Sequence, residues 1–473
     1  MITPRDYQEE GIKVALEFFN SKGKTKPSVF VAPVAAGKSI IIGGIAAELE
    51  DPTIVMQPSI ELLNQNYNKL ITFGGEASIY SASAGVKEIG HNTYATLGSI
   101  KNIAKEFKAQ GVRNVMIDEC HMGYSPATDS MFRKFMDALN PDRVLGFTAT
   151  PIRLKQYGDM HDSWSQLNFI NTGRPVYFKD ILHVVPISMM VERGYWSKLK
   201  YEQYDFDEGT LKLNSSGAEY TEHSIRKAIE EQGINNNIYL RVKNLLKEGR
   251  KNILIFMDSV YNAEKMASLF ENGACVSGNT KKKERQEIVE AFVNGHIQIV
   301  TNFGTLTTGF DHPQLDCIIL GRPTNSLALY YQMAGRGTRI HISKENCLII
   351  DFCNNVKRFG RLEDINFEYI EGHGWGMFSG DKLLSNVRME KGFERTKEDL
   401  HKKAEMDAKD AINMELWFGK YKGKRVSELP SGYIKWALET WDFGDKKKKM
   451  MQKQMEDVLV AKGELVIKTK DGK

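Results

Sequence analysis

Two short stretches of this sequence hold side chains whose types and spacing suit phosphate chemistry. The first is Ala32-Pro33-Val34-Ala35-Ala36-Gly37-Lys38-Ser39. Small residues closing on Gly-Lys-Ser let backbone N–H groups converge on one point, where an anion can sit. Pro33, Val34, Ala35, Ala36 and Gly37 would wrap the phosphates. Lys38 would reach the β- and γ-oxygens, and the Ser39 hydroxyl would ligate Mg²⁺. Ala32 and Ala35 stand where glycine is common, so the match to the phosphate-loop pattern is incomplete. The second stretch is Asn114-Val115-Met116-Ile117-Asp118-Glu119-Cys120-His121. Here Asp118 would hold the metal through water, and Glu119 would orient and deprotonate an attacking water. A lone Asp-Glu pair is more often a solvated turn. Its position 80 residues after Lys38, at the end of an apolar run, favours the paired site.

Such residues need rigid elements behind them. Val29–Ala32, Thr53–Gln57, Asn114–Ile117 and Val144–Thr148 read as buried strands, and so do Ile253–Met257, Ile297–Thr301, Cys317–Leu320 and Cys347–Asp351. Their runs are continuously apolar, which suits strands covered on both faces. Ser39–Leu49, Ser59–Leu70 and Tyr261–Phe270 between them read as helices. The βαβα order predicts an α/β fold with parallel sheets. Ligands bind at the carboxyl ends of such strands, where Lys38 and Asp118 fall. The pattern occurs twice, around a weaker region near residues 155–235. Gly372–Gly380 reads as a loop, and residues 388–410 as a densely charged exposed helix or linker. The expected division is residues 1–175, 176–378, a charged linker at 379–410, and a small basic α+β domain at 411–473.

Composition narrows the classes. The 473 residues are 41% hydrophobic and 26% charged, too apolar for a disordered chain. No apolar run approaches the roughly 20 residues needed to span a bilayer. The polar segment Met1–Glu10 does not read as a signal peptide. Five cysteines without a Cys-x-x-Cys pair fit a reducing cytoplasm and argue against a cysteine zinc site. The net charge of +4 is unevenly spread. Residues 411–473 hold 14 Lys/Arg against 9 Asp/Glu, and the remainder holds 50 against 51.

The order of further motifs resembles superfamily 2 helicases of the DExH group. Asp118-Glu119-Cys120-His121 is similar to their motif II. Arg5-Asp6-Tyr7-Gln8 resembles the adenine-reading segment, Pro58–Leu62 motif Ia, Tyr94-Ala95-Thr96 a backbone-contact motif, and Phe147–Pro151 motif III. Ile253–Ser259 resembles motif IV, Leu306–Asp311 motif V, and Gln332–Arg339 motif VI. The resemblance covers about residues 3–355. It implies two tandem RecA-like domains closing over ATP and Mg²⁺. Arg5, Gln8, Gly309 and Asp311 would contact nucleotide, and Gln332, Arg336 and Arg339 would enter from the second domain. Thr148 and Thr150 would couple hydrolysis to movement. Ser59, Thr96, Thr307 and Thr324 could donate to nucleic-acid phosphates, contacts that position a strand without reading it. Helix capping is an equal reading of these hydroxyls. Arg336 and Arg339 would share one helical turn, an arrangement that by itself suits a solvated face.

The Gln-x-x-Gly-Arg-Gly-x-Arg form, with Arg322-Pro323-Thr324 and Ile350–Asn355, looks more like DNA-repair helicases of the RadD type and branch-migration helicases of the UvsW type. That implies forked, branched or plain duplex DNA as partner, with single strands possible. A motor that does not unwind, or an RNA helicase, are the alternatives. RadD-type proteins carry a C-terminal cysteine zinc module, and no cysteine follows Cys353 here. In residues 415–438 aromatic and basic residues alternate around glycines, which predicts a hairpin and then a helix. Trp417, Phe418 and Tyr421 would stack on bases, and Lys420, Lys422, Lys424 and Arg425 would contact phosphate. An aromatic mini-core with a solvated basic rim is the equal alternative. Lys446–Lys449 reads as a solvated run, with a duplex contact as the alternative. The phrase Phe418–Lys424 resembles a small module of phage and bacterial nucleic-acid-processing proteins. The expectation is a monomeric, non-membrane protein of a bacterial cytoplasm or a phage-infected host.

Overall fold

The computed structural model describes residues 3–157, 164–172, 175–305, 312–371, 373–389, 395–400, 402, 415–441, 451–452, 454–456 and 458–459. The chain divides into two units. The larger comprises residues 1–368 and 375–394, and the smaller residues 369–374 and 395–473. Among the described residues no helix is long and apolar enough to cross a membrane.

Two parallel sheets organise the larger unit. From one edge, the first runs Asp180–Val184, Ser28–Val31, Arg143–Thr148, Asn114–Asp118, Thr53–Gln57, Asn92–Thr96, Ser78–Ser81 and Val86–Lys87. All its neighbours pair in parallel except the last two. The second runs Lys198–Gln203, Asn346–Asp351, Cys317–Leu320, Ile253–Phe256, Ile299–Phe303 and Gly273–Ser277, parallel throughout. The central strands are buried along their whole length, as their apolar runs require.

The boundary between the two domains differs from the expected residue 175. Asp180–Val184 extends the first sheet beside Ser28–Val31, and Lys198–Gln203 is the edge of the second, so the crossing lies between them. Both are edge strands. The pattern in Lys198–Gln203 alternates exposed with partly buried residues, so it lacks the continuous apolar run of a central strand. Gly372–Gly380 is also corrected. Gly374–Ser379 forms a strand in which Met377 and Phe378 are buried, hydrogen-bonded to Lys382–Leu383. A further small sheet had no counterpart in the sequence pattern. Ile152–Tyr157 and Trp164–Phe169 form an antiparallel hairpin joined by Val387–Arg388.

The smaller unit has its own core of Leu416, Val426, Leu429, Ile434, Ala437, Met451, Met455 and Leu459. Glu415 bridges Arg425 across a tight turn, and the helix Ser431–Thr440 follows.

Candidate active site

The phosphate loop joins the strand Ser28–Val31 to the helix Lys38–Glu48. Ala32 N–H donates to Thr148 O at 3.0 Å, which holds the loop beside the neighbouring strand end. Gly37 has φ +74°, and a Cβ there would lie 2.5 Å from Gln8 Nε2, so backbone and space both demand glycine. Ala35, standing where glycine is common, adopts φ +58°. A non-glycine residue pays about 1–2 kcal/mol for that conformation. Ser39 lies at the buried start of the helix.

Asp118 ends its strand, and Glu119 follows with φ +46°, a sharp turn that points the next side chains back toward the loop. Lys38 Nζ lies 3.1 Å from Glu119 Oε1. Asp118 accepts from Asn66 Nδ2 at 2.8 Å and from Glu119 N–H at 2.9 Å. Burial and the Glu119 charge push the Asp118 carboxyl up to about 6. Burial acts the same way on Glu119, but Lys38 above all, with His121 and, least, Arg336, outweighs it and holds that carboxyl below its ordinary value. Two adjacent buried carboxylates, one of them short of positive charge, suit a divalent cation, so Asp118 with the Ser39 hydroxyl fits the expected Mg²⁺.

His121 ties this pair to the strand end at Thr148. Its Nδ1 is 2.8 Å from Thr148 Oγ1 and 3.4 Å from Glu119 Oε2, and its Nε2 is 3.2 Å from Thr150 Oγ1. Burial pushes its pKa down to about 4, so near neutral pH the contact with Glu119 is not an ion pair.

The second domain completes the enclosure. Gln332, on the helix Leu327–Ala334, lines one cavity of ≈ 260 Å³ together with Arg336, Arg339, Lys38, Ser39, Asp118 and Glu119. The two arginines do not share an α-helical turn. The helix ends at Ala334, Arg336 sits on the 3₁₀ turn Gly335–Thr338, and Arg339 follows in extended conformation. Glycines explain the tightening. A Cβ on Gly335 would lie 2.5 Å from Val34 of the phosphate loop, and one on Gly337 would lie 2.6 Å from Cys347 Sγ. Trp196 Nε1 donates to Val34 O at 3.1 Å, a second clasp on the same loop residue.

Arg5 and Gln8 lie behind the loop, not among the residues lining this cavity. The Gln8 amide donates to Ala36 O at 2.9 Å and Tyr7 OH at 3.3 Å and accepts from Arg5 N–H. Arg5 stacks over the Tyr195 ring at 4.6 Å.

The expected nucleic-acid contacts separate. Ser59 caps its helix, accepting from Leu62 N–H at 3.4 Å. Thr96 hydrogen-bonds Ser99 and lines an open cleft with Gln57, Tyr124 and Ser125. Thr324 is a correction. It is fully buried and donates its hydroxyl to Glu219, so it faces the interior and not a phosphate. Thr307, Gly309 and Asp311 lie outside the described residues, as does Lys446–Lys449. In the smaller unit Lys420, Lys422, Lys424 and Arg425 are exposed, but Trp417, Phe418 and Tyr421 pack on the core. Their rings are partly buried there, an arrangement that suits the mini-core reading. Trp436 is exposed, at 49%, and the alternating pattern did not single it out. Asn66, Trp196 and Gly335 were also missed. Gly335 alone carried a signal, inside Gly-Arg-Gly.

Known proteins share these features. Residues 1–153 match the family model "Type III restriction enzyme, res subunit", and residues 237–341 match "Helicase conserved C-terminal domain". The two matches fall on the first and on the second parallel sheet. Residues 405–455 match a family provisionally described as a quorum-sensing-regulated virulence factor. A Saccharomyces cerevisiae protein provisionally named ATP-dependent helicase IRC3 is 24% identical over 74% of this chain, and the match spans 51% of that protein's length. The "51.5 kDa protein" of a Lactococcus phage is 26% identical over 73% of this chain and 70% of its own. A fragment of a provisional HsdR subunit of a type I restriction enzyme from Vibrio vulnificus superposes with TM-score 0.57 at 18% identity, covering 76% of this chain and 66% of that one. That last likeness shows the fold alone.

Proposed function

We propose that the chain is an ATP-driven motor of two RecA-like domains that moves on DNA and remodels forked or branched duplexes. One observation carries the reading. Lys38, Ser39, Asp118 and Glu119 of one domain line the same cavity as Gln332, Arg336 and Arg339 of the other. Phosphoryl transfer needs positioning and charge neutralisation more than covalent chemistry. An arriving γ-phosphate would draw Lys38 from Glu119, leaving that carboxylate to orient the attacking water. Arg336 would neutralise charge on the transferred group, so hydrolysis would follow closure of the domains. Ser39 and Asp118 would hold Mg²⁺, which supplies further neutralisation of the phosphate oxygens. His121, between Glu119 and the two threonines, would pass the nucleotide state to the strand-facing side.

DNA is favoured by a Sulfurisphaera tokodaii relative named DNA 3'-5' translocase XPB2, 24% identical over 70% of this chain. Branched substrates are favoured by the basic residues gathered in the C-terminal unit. A second reading, a translocating motor that does not separate strands, is favoured by the restriction-enzyme family matched by residues 1–153. The test is the ATPase rate with single-stranded, duplex, forked and four-way DNA and RNA controls, run beside strand displacement from a labelled fork. Stimulation by forks with displacement supports the proposal. Stimulation without displacement supports the second reading, and stimulation by RNA alone contradicts both.

A further inference from the structure

The hairpin Ile152–Tyr157/Trp164–Phe169 follows directly on Thr148–Pro151 and carries an arrangement the cavity does not use. Register sorts its side chains. Tyr157 pairs with Trp164, Lys155 with Gln166, and Arg388 of the third strand with Gln166, so these five share one face. Tyr157 and Trp164 stack with centroids 4.5 Å apart and planes at 16°. Lys155 Nζ lies 4.8 Å over the Tyr157 ring, and the Arg388 guanidinium 3.9 Å over Trp164. The four therefore form a ladder of cation, ring, ring and cation. All of these residues are partly or fully exposed, and none of the three strands contains Asp or Glu.

The opposite face is committed to protein. Gln156 Nε2 donates to Ser215 O at 3.2 Å and Ser165 donates to Ser216 O, both on a turn leading into the second domain. Leu154 and Leu167 line an open cleft between the domains with Tyr124, Ser125 and Asn325. Tyr124 and Ser125 also line the cleft that holds Thr96. The two clefts therefore adjoin at Tyr124 and Ser125, one reaching Thr96 and the other the base of the hairpin.

We propose that the Lys155–Tyr157–Trp164–Arg388 face binds single-stranded DNA, with Lys155 and Arg388 leaving the rings to pair with phosphates and bases taking their places on the outer faces of the aromatic pair. A cross-strand aromatic pair alone would stabilise the hairpin. Two flanking cations on a face without carboxylates add the electrostatic complement that a nucleic-acid strand needs. This inference rests on the reading of the chain as a DNA motor.

The test uses the full chain and fluorescein-labelled oligothymidylate, with anisotropy read over a salt series. Lys155→Ala/Arg388→Ala should weaken binding severalfold and reduce the magnitude of the log–log salt slope by about 1.4, the share of two single-strand phosphate contacts. Tyr157→Ala/Trp164→Ala should weaken it about 5- to 100-fold with the slope unchanged, and Trp164→Phe should restore most of the affinity. The charge variant keeps the rings, so its thermal midpoint and DNA-free ATPase should match wild type. Wild-type affinity and slope in the charge variant would overturn the inference while leaving a DNA-stimulated wild-type ATPase, and so the motor reading, intact. Failure of any nucleic acid to stimulate the wild type would instead strike the motor reading itself.

Discussion

In the phosphate-loop cleft, Lys38 and Glu119 expose 15% and 14% of their side chains and are bonded to each other. In the C-terminal unit, Lys420, Lys422, Lys424 and Arg425 stand on an exposed turn around a core of their own. Buried charge in the first region is costly unless paired, so each group there shifts its neighbours and single substitutions should be severe. Solvated charge in the second is additive and screened, so its contribution should be graded and salt-dependent. The contrast separates a region specialised for chemistry from one suited to holding a polyanion.

The largest effects should come from the cleft. Lys38→Ala and Glu119→Gln should abolish turnover. In Glu119→Gln the loss should reach about 10²–10⁴-fold, the usual share of a general base. A fluorescent nucleotide should still bind the glutamine variant. Normal hydrolysis by Glu119→Gln would remove the base assignment.

Acid should sharpen the contrast next. His121 has a folded pKa of about 4 against 6.5 unfolded, so its stabilising contribution is complete above pH 6.5 and is lost as pH falls toward 4. Asp118, raised to about 6 from 3.8, works in the opposite direction over nearly the same range. The wild type should therefore change little between pH 7 and 4 from this pair. Relative to His121→Asn, it should lose on the order of 3 kcal/mol over that window, read as urea midpoints. Parallel pH profiles for the two proteins would show that His121 is not held neutral.

Gly335→Ala addresses closure alone. The added methyl meets Val34 across the domain boundary and should cost about 1–3 kcal/mol of closed state. The expected outcome is a lower kcat/KM for ATP with an unchanged melting profile for each domain. Removal of residues 411–473 should act more gently. Affinity for four-way DNA should fall on the order of tenfold at moderate salt, as when a few phosphate contacts are lost. Basal ATPase should persist. Equal junction affinity with and without the segment would contradict the role assigned to it.

The strands that position the cleft were legible because burial on both faces forces continuous apolar runs, as in Asn114–Asp118 and Cys317–Leu320. Lys198–Gln203 and Asp180–Val184 were not, since an edge strand needs only part of one face covered. Lys38, Ser39, Asp118 and Glu119 could be read from motif and spacing. Thr324 could not, because its hydroxyl is committed to Glu219, more than 100 residues earlier in the chain. The partial burial of Trp417 and the exposure of Trp436 could not be read for a similar reason. Aromatic and basic alternation marks a surface strand or a tight turn equally, and only the packing of Leu416 and Val426 decides which rings turn inward.

In the mechanism proposed above, a group from the second domain completes the hydrolytic site of the first. Single-turnover hydrolysis by Arg336→Ala, with nucleotide affinity measured in parallel, tests it most directly. The expected result is a loss of about 10³–10⁵ in rate, with ATP bound within a few-fold of wild type. A rate within about threefold of wild type, a free-energy change of well under 1 kcal/mol, would contradict it.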